Sequence, residues 1–97
     1  MGLFNMMDSK GKFNELLPEA ERELRLILDA IRSKDVKMVE LHVEMLASIA
    51  SKLLATMSKS SEVRSASYNF AGKRMTGEQI LYFLYSVVTE IDSALKS

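Results

Sequence analysis

The chain has no cysteine and no tryptophan, and only one histidine and one proline among its 97 residues. Without cysteine there is no disulfide framework, no thiolate zinc site and no thiol nucleophile. His42 alone leaves too few nitrogen ligands for a zinc centre, which usually takes three or four. Four glycines form neither G-x-x-x-x-G-K-[ST] nor G-x-G-x-x-G, so no glycine loop cradles a phosphate. An excess of one charge is missing too. Thirteen basic and thirteen acidic residues cancel, and no global field draws the protein to nucleic acid or an anionic membrane.

Long hydrophobic runs are also absent. The longest uncharged, strongly apolar stretch, residues 79–89, falls well short of the roughly 20 residues of a spanning helix. Leu3, Phe4, Met6 and Met7 are too few for a signal-peptide core and lack a basic region before them. Met6 stands where a myristoylation signal wants Ser or Thr. A peripheral membrane role for these four residues needs a second anchor, which the sequence does not offer. The expectation is a cytoplasmic protein with no cofactor and no transmembrane segment.

What the chain does have is helical spacing. Val36, Val39, Val43, Leu46, Ala50, Leu53 and Met57 recur in steps of three and four, on one narrow helical stripe. Met38, Met45 and Ile49 flank it and widen the apolar arc to about 200°, which predicts a central helix packed on two sides. Asp35 is placed to cap this helix, predicted over 36–58. Before it, a helix over 18–33 starts at Pro18, which suits a first helical position. It buries Leu17, Ala20, Leu24, Ile27, Leu28 and Ile31. Glu21, Arg22, Arg25, Asp29 and Arg32 form its solvated face, with Glu21–Arg25 and Asp29–Arg32 as weak surface pairs. The short connection between the two makes an antiparallel hairpin.

Residues 1–13 read as an N-terminal tail that docks through Leu3, Phe4 and Phe13, ahead of a single domain over 14–97. Residues 58–62 are a polar linker. Over 63–71, Val63, Ala66 and Phe70 fit a short helix ended by Gly72, although Arg64, Ala66, Tyr68 and Phe70 also alternate as a strand does. The short helix is preferred. The third long helix, 77–95, opens with a Thr76/Gln79 capping box and a Met75–Ile80 staple. Ile80, Leu84, Val87, Val88, Ile91 and Leu95 share its main face. The fold class is therefore all-α, a small antiparallel bundle of three long helices plus one short one.

Little in this pattern carries chemistry. His42 sits at the flank of the buried arc, and Glu40 and Glu44 point away from it. Val39 stands where a Glu-x-x-His metal motif would need its carboxylate. A serine triad has one histidine to draw on and no turn to present the nucleophile. No catalytic and no metal-binding residue is expected, and no enzyme activity. Met1-Gly2-Leu3-Phe4 with Lys12-Phe13-x-x-Leu16-Leu17 resembles the start of helical accessory proteins related to PhoU. That family's Glu-x-x-x-Asp metal motifs are missing here, and no function is carried over from the resemblance.

Apolar surface beyond what a small bundle covers is the strongest functional signal. Met38, Met45, Leu81, Tyr82 and Tyr85 fall outside the main stripes and are the candidate interface, since large apolar patches on soluble chains mark interaction sites. This points to a non-enzymatic protein–protein interaction module (an adaptor, subunit or small regulator). It would form a homodimer through its second and third long helices or cover a partner helix. The alternative is a small nucleic-acid or polyanion binder using Arg64, Lys73 and Arg74, whose cations adjoin the aromatic rings of Tyr68 and Phe70.

Overall fold

The computed structural model describes the backbone from Gly2 to Ser97 and the side chains from Ser9 onward. Its elements in chain order are α1 (Gly2–Arg32), α2 (Val36–Lys59), α3 (Ser61–Ser65), β1 (Ser67–Phe70), β2 (Lys73–Thr76) and α4 (Gly77–Lys96). The three long helices are the expected ones. The expected tail is not a tail, because α1 runs through residues 2–13 and carries Pro18 in its interior.

The reason lies in the stripe. Ser9, Phe13, Leu17 and Ala20 are all buried at steps of three and four, so the face assigned to 17–31 starts two turns earlier. Pro18 has no N–H to donate back to the Asn14 carbonyl, but both residues are exposed and water can serve that group. Leu3, Phe4, Met6 and Met7 have side chains outside the described residues.

Two backbone bonds close α1, Lys34 N–H to the Ile31 carbonyl (3.0 Å) and Asp35 N–H to the Ala30 carbonyl (2.9 Å). This is a Schellman arrangement with Lys34 in the left-handed position, φ 58°, where glycine is usual. Asp35 then caps α2 as expected, its carboxylate accepting from Met38 N–H at 3.2 Å. The reversal is tight, and α2 returns antiparallel along α1.

α2 is central. Both α1 and α4 pack on it rather than on each other. Its predicted stripe is buried from Val39 to Met57, with Leu46, Ala50 and Leu53 sealed completely. Val36, at the stripe's first position, is not; it is 56% exposed.

The segment expected as a helix over 63–71 is divided. α3 is one short turn, and residues 67–76 form an antiparallel hairpin pairing Ser67 with Thr76 and Phe70 with Lys73. Ala71 (φ 51°) and Gly72 (φ 78°) make its two-residue turn. Two consecutive positive φ angles are what a type I′ hairpin turn demands. Tyr68 and Phe70 point inward while Ser67 and Asn69 face out, which is the strand alternation the sequence allowed.

The hairpin and α3 form a wedge between α1 and α4 at one end of the molecule. Tyr68 stacks at 4.7 Å on Phe13 of α1, and Phe70 meets Phe83 of α4 edge-on at 6.3 Å. Glu21 of α1 accepts the Ala71 N–H at 2.7 Å and pins the hairpin tip. The expected Glu21–Arg25 pair gives way to this bond, since a backbone amide held in the turn is a better-placed donor than a mobile exposed guanidinium.

α4 opens with the predicted capping box, Gln79 N–H to Thr76 Oγ1 (3.1 Å) and Thr76 N–H to Gln79 Oε1 (3.0 Å). Gly77, its first residue, is wedged against α3. A Cβ there would lie 2.6 Å from the Val63 carbonyl oxygen and 3.3 Å from the Phe13 ring.

The glycines therefore respond oppositely to alanine. Gly11 faces open space in α1, and Gly11→Ala is expected to stabilise by roughly 0.8–1 kcal/mol through helix propensity. Gly77→Ala must push α4 off α3 and is expected to destabilise by about 1–3 kcal/mol. Urea denaturation of the two variants beside wild type measures both signs.

Candidate functional site

Past the wedge, α1 and α4 have nothing between them. The gap is a trough of ≈ 570 Å³ whose floor is Val36 and Val39 of α2. One wall is Ala30 and Ile31 of α1; the other is Ile91, Ala94 and Leu95 of α4. Lys34 and Glu90 are the charged residues on its lining. Ile31 is 48% exposed and Val36 more so, which makes the trough an open surface rather than an enclosed pocket. These are the first and last positions of three helical stripes. The sequence marks them as core, and they lose their cover because the wedge fills only the other end.

The expected interface residues are not brought together. Met38 and Met45 are exposed on the flank of α2 nearest α1, where Met45 lines a groove with Glu19 and Arg22, and Met38 one with Leu26 and Asp29. Tyr82, 77% exposed, and Tyr85 lie on α4 beside Ser86 and Thr89. Leu81 is a correction. It is buried in the core, because α4 meets both α2 and the wedge and so covers a wider arc than its main stripe.

The basic cluster is exposed and dispersed. Arg64 stands on α3, while Lys73 and Arg74 stand on β2, where Arg74 donates to Asn69 Oδ1 at 3.3 Å. The start of α4, where an anion would be received, is occupied by its own capping box and by the Gly77 N–H bond to the Ala66 carbonyl. Those amides are not available to a phosphate.

One polar pair escaped the sequence reading. His42 Nδ1 lies 2.6 Å from Glu23 Oε1, and both residues are buried between α1 and α2. With Glu23 ionised, Nδ1–H donates and the carboxylate accepts. Glu23 falls on the buried stripe of α1, three residues after Ala20 and four before Ile27, and that spacing is the signal that could have found it. Among the described residues no group of three or more His, Asp or Glu side chains is placed to hold a metal ion. No described helix is long and apolar enough to cross a membrane.

No protein-family model matches this chain, and neither curated proteins nor solved structures give a match.

Two measurements test the polar interior. Removing one member of the Glu23–His42 pair strands a buried polar group, so His42→Leu and Glu23→Leu are each expected to lose about 1–3 kcal/mol. The double variant should recover part of that loss in a double-mutant cycle. Tyr68 donates its hydroxyl to the Val63 carbonyl at 3.0 Å, and burial raises its pKa above the ordinary tyrosine value. A raised folded-state pKa gives stability that is complete below the unfolded value and is lost as pH rises through the folded one. Alkaline unfolding should therefore shift to higher pH in Tyr68→Phe, while at neutral pH that variant is about 1 kcal/mol less stable.

Proposed function

We propose that this chain is a non-enzymatic protein–protein interaction module. One observation supports the reading above others: large apolar side chains, Ile31 and Val36 foremost, stand half exposed around a trough on a rigid scaffold. Exposed apolar surface of this kind is worth covering at about 25 cal/mol per Å², and a macromolecular partner covers an open trough better than a small ligand does. α2 and α4 supply its floor and one wall. The surface differs from the Met38–Tyr82 set, with the end of α1 as its second wall. Tyr82 and Tyr85 offer a smaller aromatic face on the far side of α4.

The polyanion reading has weaker support. Its three cations are spread over two elements, and the neighbouring helix start is already hydrogen-bonded.

Photo-crosslinking tests the module. A benzophenone amino acid at position 31, and separately at 82, is irradiated in lysate of the native cells. A discrete protein adduct at position 31 is expected. An unmodified 10.9 kDa band at both positions would overturn the reading.

A further inference from the structure

We infer that the trough's occupant is a second copy of this chain, related by a two-fold axis that sets Lys34 of each copy against Glu90 of the other. The inference rests on the interaction-module reading and adds the partner. Three observations carry it.

The first is charge. Apart from Lys34 and Glu90 the trough is lined by Ala, Val, Ile and Leu. A two-fold interface pairs each group with one from the other copy, so a surface with one cation and one anion satisfies itself twice. A partner carrying a single sign of charge would meet attraction at one lip and repulsion at the other. The whole chain has no net charge, and two copies approach without long-range repulsion.

The second is area. The accessible surface is 6526 Å², about 900 Å² above the roughly 5,600 Å² that surface scaling gives a compact 10.9 kDa monomer. A standard interface takes roughly 800 Å² from each partner. The surplus belongs to the slender 48 × 24 × 16 Å shape as a whole, and a second copy would cover a comparable area.

The third is Lys34 itself. It holds a left-handed φ of 58° at the mouth of the trough, a conformation in which glycine is less strained. Glycine would close α1 equally well but leave Glu90 of the second copy without its cation.

The test is light scattering coupled to size exclusion, from low micromolar to near-millimolar protein, with thermal melts to confirm folding. Wild type is expected at twice the 10.9 kDa chain mass at the upper concentrations. Lys34→Glu and Glu90→Lys are each expected to weaken the dimer by about tenfold, and the charge-swapped double variant to restore it. A dimer that ignores both reversals, or a swap that fails to rescue, overturns the inference. So does a chain that stays monomeric while position 31 crosslinks to a different protein, an outcome that leaves the module reading standing. A monomer with no adduct overturns both.

Discussion

The fold depends on one close approach. The first residue of α4 lies so near the Val63 carbonyl that only a hydrogen fits on its Cα, and Gly77 is the residue there. Its N–H donates to the Ala66 carbonyl at 3.1 Å, so α3 and α4 meet backbone to backbone. The Phe13 ring packs against the same point from α1. Three elements are thus fixed together where the bundle has least side chain to spare. α3 follows α2 directly at Ser60, so anchoring α4 to α3 aligns α4 antiparallel to α2. The capping box then starts the helix at once, with no loop in which the direction could drift.

Carboxylates of α1 complete the alignment in a way hydrophobic packing cannot. Apolar contacts are non-directional and would tolerate a helix rolled by some tens of degrees. Glu21 and Glu23 remove that freedom, because they sit about 200° apart around the helix. One holds the Ala71 amide on the hairpin side and the other holds His42 on the α2 side. The bond from His42 Nδ1 to Glu23 fixes the orientation of the imidazole and leaves Nε2 outside that pair.

The long helices were legible because their signals are local: the steps of α2, the Asp35 cap, the Thr76–Gln79 box. The N-terminal extension of α1 was hidden by Pro18, read as a start because an interior proline usually breaks a helix. It is tolerated here only through exposure, a tertiary fact. The hairpin was hidden by its turn. Ala71-Gly72 lacks the Asn-Gly or Asp-Gly signature, and alanine at positive φ is held by Glu21, fifty residues away. Gly72 was read as a helix terminator for its positive φ, which is the conformation it adopts, in a turn between strands instead. The pairing of Glu23 with His42 and the trough have no local signature, since each depends on where α1 lies relative to elements far along the chain.

The trough follows from the wedge rather than from slack in the packing. α1 and α4 are held apart at one end by Val63, Tyr68 and Phe70, all buried between or beside them. Closing the far end would tilt α4 about its anchor and draw Val87 and Val88 from their partial cover against the core. The hairpin wedge therefore leaves an open end, walled by the terminal turns of three amphipathic helices. The same wedge that completes the core leaves the bundle unfinished at its other end. The apolar stripes of the helices run on past the point where this chain can cover them.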